Sequence, residues 1–335
     1  MYGGAGDDRF DGGWATGSRV TTFNFDEVQR AEGAGGADTM SGGEGDDWYF
    51  VDNKNDVVIE YVGKGGWSYD RVSASVDYTL PEYVENLNLV SGSGAKNGTG
   101  NSSDNVLFGN ELDNLLLGGA GNDLLQGGYG IDTLMGGTGN DIYSLNKSPE
   151  DIIVEYANEG RDQVQSYDYS YTLGANLEDL RLIGQKDVNG TGNELDNVIS
   201  GAGGDNVLSG LAGDDTLNGG NGADTLIGGA GRDTFLFGLN GDWGKDLILD
   251  FKISEDQIAF SIYNPGLFSS GKLSSSKFKS GAGLTGGQDA DDYIVYNTTT
   301  GDLYFDMDGS GSGAAICLAQ CTTTPLLTYE NFILM

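Results

Sequence analysis

Apolar side chains return at every ninth residue in two stretches of the chain, between Gly100 and Ser144 and again between Gly192 and Leu236. Leu107, Leu116, Leu125, Leu134 and Tyr143 form the column in the first stretch; Ile199, Leu208, Leu217, Leu226 and Phe235 form it in the second. The positions around it are mostly glycine or polar, and copies such as GGAGNDLLQ, GGYGIDTLM, GGNGADTLI and GGAGRDTFL share the pattern G-G-x-G-x-D-x-U-x, with U apolar. A nine-residue period is not that of a helix. It predicts a six-residue glycine-rich turn followed by a three-residue strand whose middle side chain points inward. Two such units make one coil, so repeats n and n+2 stack on the same edge and the arrays wind into a parallel β-roll or β-solenoid.

A shorter, less regular set opens the chain: GGAGDDRFD from Gly3, an interruption around Arg19 to Glu32, then GAGGADTMS from Gly33 and GGEGDDWYF from Gly42. A longer duplication overlies the nonapeptides. Asp56-Val57-Val58-Ile59-Glu60-Tyr61 matches Asp151-Ile152-Ile153-Val154-Glu155-Tyr156, and Glu85-Asn86-Leu87-Asn88-Leu89 matches Glu178-Asp179-Leu180-Arg181-Leu182. The alternation in these spacers predicts further β-rungs, and helix signals are nearly absent. The expected class is all-β in four parts: a partial array over 1–48, a spacer plus five nonapeptides over 49–145, its duplicate over 146–237, and a β-rich C-terminal cap over 238–335. Entry into a repeat at Gly3, with no Sec-type leader, suggests a chain whose native N-terminal side is missing and whose export needs another address.

Composition narrows the chemistry. Lys+Arg 17 against Asp+Glu 51 leaves a formal net charge of −34, the acids are 37 Asp and 14 Glu, and histidine is absent. Without imidazole there is no Ser-His-Asp triad and no histidine-ligated zinc or haem, so the chain is read as non-enzymatic. The charge disfavours nucleic acid and anionic lipid, no run of apolar residues is long enough to span a membrane, and cations become the expected partners. Cys317 and Cys321 stand too far apart along a strand to bridge unless a tight turn intervenes; they are read as unpaired core thiols, with a disulfide as the alternative.

The repeat explains which cation. Ca²⁺ takes six to eight oxygens and accepts backbone carbonyls alongside carboxylates. Glycines at the first, second and fourth places free the backbone to turn carbonyls toward an ion, and the sixth place supplies the carboxylate. The candidate metal residues are therefore Asp38 and Asp47 in the opening set, and Gly118, Asp123, Gly127, Asp132, Gly136 and Asp141 in the first array. Gly210, Asp215, Gly219, Asp224, Gly228 and Asp233 complete the set in the second. Asp123 with Asp141 and Asp215 with Asp233 are the best stacked pairs. Asp132 and Asp224 follow Asn114 and Asn206, so their sites are expected to be weaker or differently ligated. Stacked carboxylates repel without the ion, so folding and calcium binding are expected to be one event.

These nonapeptides resemble the RTX, or haemolysin-type calcium-binding, repeats. The region from 238 to 335 is similar to the part that follows such arrays in serralysin-like proteins, through Asp233-Thr234-Phe235-Leu236-Phe237, Ile248-Leu249-Asp250-Phe251 and Tyr304-Phe305-Asp306-Met307-Asp308-Gly309. The resemblance implies several calcium ions, an uncleaved C-terminal signal read by type I secretion machinery, and a secreted or cell-surface location. It also implies alternatives: a repeat module accompanying a mannuronan C5-epimerase and meeting an anionic polysaccharide, or a piece of an adhesin or surface layer.

Overall fold

The structure is a computed structural model that describes residues 9–11, 36–42, 46–61, 69–239, 244–261, 270–310 and 313–335. The Gly3–Asp8 part of the first repeat and the interruption from Arg19 to Glu32 lie outside the described residues. The chain forms two compact units, Met1–Gln163 and Val164–Met335. Among the described residues there is no α-helix, only two short 3₁₀ turns at Ser275–Lys277 and Tyr329–Asn331, and no helix long and apolar enough to cross a membrane.

In the first unit two parallel ladders grow side by side. One runs Trp48–Val51, Arg71–Ala74, Asn86–Leu89, Val106–Phe108, Leu124–Gln126, Ile142–Leu145; the other runs Tyr78–Thr79, Asn97–Thr99, Leu115–Ala120, Thr133–Thr138, Ile152–Ile153. Register follows the predicted coil: Leu107 pairs with Leu125, Leu125 with Tyr143, and Leu116 with Leu134. The chain thus alternates between two faces, and each nonapeptide lies on the one two repeats away.

The second unit repeats the device. Asp179–Ile183, Val198–Ser200, Thr216–Asn218, Thr234–Gly238, Gln257–Ser261 and Phe332–Leu334 stack in parallel on one side, and Tyr171–Thr172, Gly190–Thr191, Val207–Ala212, Thr225–Ala230, Asp246–Ile248 and Ile316–Cys321 on the other. The C-terminal region therefore continues both ladders before closing them. Asp302–Phe305 turns antiparallel on Ile316–Cys321, and Gly271–Lys272 does so on Phe332–Leu334. Phe260 stacks on Phe332 with ring centroids 5.8 Å apart, and Phe278 tilts against Phe332 at 5.1 Å. Cys317 and Cys321 both lie on the single strand Ile316–Cys321 and are free thiols.

All ten eighth-place side chains are 0% exposed. Each buried leucine contributes about 1.5–3 kcal/mol relative to exposure, so the column holds the coils together. Most of the neighbouring places are half-buried or exposed, with Ser144 and Thr234 the buried exceptions.

Candidate metal centre

The sixth place forms a second buried column beside the apolar one. Asp123, Asp132, Asp141, Asp215, Asp224 and Asp233 are each at most 1% exposed. Each uses Oδ1 to accept a hydrogen bond from the backbone N–H eighteen residues earlier. Asn105 donates to Asp123 at 2.6 Å, Asn114 to Asp132 at 2.7 Å and Asp123 to Asp141 at 2.7 Å. In the second unit Asn197 donates to Asp215 at 2.8 Å, Asn206 to Asp224 at 2.7 Å and Asp215 to Asp233 at 3.2 Å. Asp132 and Asp224, singled out for their asparagine predecessors, occupy the same rung geometry as the rest.

The other carboxylate oxygen has a different fate. Oδ2 of Asp123, Asp132, Asp141, Asp215 and Asp233 is buried with no hydrogen-bond partner. An orphaned charged oxygen is costly unless a cation or proton meets it. Burial, followed by neighbouring carboxylates, pushes Asp123, Asp132 and Asp215 up to about 7 and Asp233 up to about 6, against the restoring effect of their backbone hydrogen bonds. Asp141 is raised for the same first reason.

Asp38 and Asp47 begin the column: the Asp38 N–H donates to Asp56 Oδ1 at 2.9 Å and that of Asp47 to Asp70 Oδ1 at 2.8 Å. The first-place glycines make room beside the orphaned oxygens. A Cβ on Gly118 would collide with Asp123 Oδ2 and with the carbonyl of Gly136, and one on Gly210 with Asp215 Oδ2 and the carbonyl of Gly228. At Gly127, Gly136, Gly219 and Gly228 the collision is with Oδ2 of Asp132, Asp141, Asp224 and Asp233. These glycines are needed for space, not for a left-handed backbone; that demand falls on the second and fourth places, as at Gly119 (φ 119°) and Gly121 (φ 108°). Carboxylate and carbonyl oxygens converging on one dry, glycine-lined point are a donor set suited to Ca²⁺.

Two further features escaped the nonapeptide pattern. The column continues beyond the nonapeptides, into the spacer and the C-terminal region: Asp132 donates its N–H to Asp151 Oδ1 at 3.0 Å, Asp141 to Asp162 at 2.8 Å, Asp224 to Asp246 at 2.9 Å and Asp233 to Asp256 at 3.0 Å. These segments keep the D-x-U triplet of the repeat, as in Asp151-Ile152-Ile153 and Asp256-Gln257-Ile258, without its glycines. That triplet was the available signal. The fifth place, variable in the pattern, forms an outer ladder: Asp104 accepts from the Asn122 N–H at 2.6 Å, Asn122 from Asn140 at 2.8 Å, and Asp196 from Asp214 at 2.7 Å.

The RTX calcium-binding nonapeptide repeat model, four copies long, matches residues 1–16, 29–58, 99–128, 108–143, 191–226, 200–235 and 210–248. No curated protein matches the chain. Among solved structures, the extracellular lipase LipA from Serratia marcescens aligns at 17% identity with a TM-score of 0.21, over 80% of this chain and 45% of that one. This chain thus spans under half of that lipase's length, and a likeness so slight carries no argument. The family match and the parallel coils together make these blocks RTX calcium-binding repeats wound as a β-roll.

Proposed function

We propose that the protein is a secreted, non-catalytic calcium-responsive module that stays unfolded where calcium is scarce and winds into its coils outside the cell. The observation that carries this reading is the run of buried Oδ2 atoms without a hydrogen-bond partner at the sixth places Asp123, Asp132, Asp141, Asp215 and Asp233. Repeat arrays lean on nearest neighbours, so failure to neutralise one coil weakens the next. Sites of extracellular grade, with dissociation constants of about 10⁻⁴ to 10⁻³ M, fill outside the cell and stay empty in the cytosol. An unfolded chain in the cytosol suits export through a type I channel, with the terminal Glu330-Asn331-Phe332-Ile333-Leu334-Met335 as part of the signal. The sixth-place aspartates are the ligands in this account, with the first-place glycines shaping the cradle.

The test pairs export with folding. In a bacterium carrying a type I exporter, the full chain should reach the medium and resist protease there only when calcium is present. Deletion of the last six residues should keep it in the cell. Export that ignores the deletion, or protease resistance in chelator, would overturn the respective half of the proposal.

A further inference from the structure

Where each array gives way to a spacer, the inward first-place glycine is followed, one coil on, by an acid. Thr133 pairs with Ile152 and Leu134 with Ile153, which brings Glu155 opposite Gly136. The same register brings Glu60 opposite Gly42, since Ser41 pairs with Ile59. A side chain entering at Gly136 meets the orphaned Oδ2 of Asp141, for which the glycine leaves room. Asp141, Glu155 and Asp162 accordingly gather one carboxylate oxygen each within 4.8 Å of one another, all three residues being buried. Asp47, Glu60 and Asp70 do the same in the preceding spacer.

A cluster of acids is not in itself a site, but this one holds an independent mark of a missing ligand. Asp141 is 1% exposed, its Oδ1 is committed to the Asp123 N–H, and its Oδ2 has no hydrogen-bond partner. That Oδ2 faces into the cluster: the space a Cβ on Gly136 would fill is bounded by Asp141 Oδ2 and the Tyr143 hydroxyl. The hydroxyl in turn touches Glu155 Oε1 and accepts from the Gly136 N–H at 2.7 Å. Gly42, Asp47 and Tyr49 are arranged alike in the earlier copy.

We propose that Asp141, Glu155 and Asp162 form a junction calcium site in which the last sixth-place aspartate of the array is joined by two acids of the spacer, with Tyr143 orienting Glu155, and that Asp47, Glu60 and Asp70 form its counterpart. Three buried carboxylates this close cannot all ionise without a cation among them. Their all-oxygen chemistry selects a hard divalent ion over zinc or copper. The site would clamp the first spacer coil onto the last nonapeptide, where the glycine-rich turn motif stops.

The second unit supplies a built-in control. Leu226 pairs with Ile248, so Asp250 stands opposite Gly228, but its two oxygens accept from the N–H groups of Gly228 at 3.0 Å and Gly229 at 2.8 Å. Phe235 replaces the tyrosine, and the Lys252 ammonium donates to the Gly229 carbonyl. A protein cation and two backbone donors occupy that junction, so it is assigned no junction ion.

The inference rests on the calcium-binding reading, and the test separates them. Calcium bound per full-length chain is counted by equilibrium dialysis with elemental analysis, alongside circular dichroism in saturating calcium. Glu155→Gln should bind one ion fewer than the parent, Glu60→Gln/Glu155→Gln two fewer, and Asp250→Asn the same number, all with the parent's β signal. If the double variant binds as many ions with unchanged affinity, the junction sites do not exist while the calcium reading stands. If the parent binds none, both fall. Should the glutamine variants fail to fold, Tyr143→Phe keeps the volume and is expected to weaken one ion roughly tenfold and to lower tyrosine-sensitised terbium emission; unchanged affinity and emission would overturn the proposal.

Discussion

Within each nonapeptide block the sixth place changes from asparagine to aspartate, and the two residues solve the same problem differently. Asn105 accepts at Oδ1 from the Asn101 N–H at 2.7 Å, and its Nδ2 donates to the carbonyls of Val84 and Glu85 at 3.2 and 3.3 Å in the coil before. Asn197 does the same, donating to Leu177 and Glu178 at 3.2 and 3.1 Å. One coil later Asp123 and Asp215 turn an orphaned Oδ2 into an equally buried place. An amide carries its own donor; a carboxylate must borrow a positive charge. On the proposed function the opening coils are therefore self-sufficient and the following ones call for a cation, although the strands beyond them pair in continuous register.

The largest expected effect comes from erasing that difference in the aspartate coils. Converting Asp123, Asp141, Asp215 and Asp233 together to asparagine should abolish most of the rise in melting temperature that calcium produces, since each site held at a hundred times its dissociation constant contributes about 2.7 kcal/mol. A thermal melt in chelator and in calcium reads this directly, and an undiminished calcium-induced shift would contradict it.

The reverse exchange, Asn105→Asp, removes the donor to Val84 and Glu85 and buries a bare carboxylate. We expect a loss of roughly 1–3 kcal/mol in urea unfolding with chelator present, largely restored when calcium is added. Equal losses in both buffers would mean that the place cannot accept an ion.

Acidity should act in opposite directions on the two states. The metal-free folded state holds Asp123, Asp132 and Asp215 with pKa values raised to about 7, above those of an unfolded aspartate. Their contribution to metal-free stability is fully present below about pH 4 and is lost as pH rises through about 7. In chelator the β signal should therefore strengthen as pH falls from 8 to 5, while apparent calcium affinity weakens over the same range because protons compete for the same oxygens. A metal-free β signal indifferent to pH would contradict the burial of ionisable Oδ2 atoms.

The smallest effect concerns Leu211, which holds φ 80° at a second place where the two turns that follow it use Gly220 and Gly229. A leucine in the left-handed region costs about 1–2 kcal/mol, part of which glycine returns as chain entropy. Leu211→Gly should stabilise the calcium-bound form by roughly 0.5 kcal/mol, measured by denaturant midpoint.

Much of the fold was legible because one rule repeats. An apolar eighth place predicted the core column, and all ten of its residues are fully buried. The eighteen-residue stacking followed from two nonapeptides per coil. What stayed hidden has physical causes. Insertions between coils break the nine-residue phase, so the pattern does not mark Asp151, Asp162, Asp246 and Asp256, although they extend the buried column. Glu155 and Glu60 were visible only as one half of a duplicated motif, since their meaning depends on which glycine they face across the ladder. The outer ladder at the fifth place leaves no hydrophobic trace because it is exposed and its partners are backbone N–H groups.

The central claim, that buried aspartates make the coils conditional on calcium, is tested most directly by far-ultraviolet circular dichroism of the full chain during titration from EGTA into calcium, with magnesium as the control. The account predicts a cooperative gain of β signal near millimolar calcium and none with magnesium. A chain already fully β-structured in EGTA, or one that responds equally to magnesium, would contradict it.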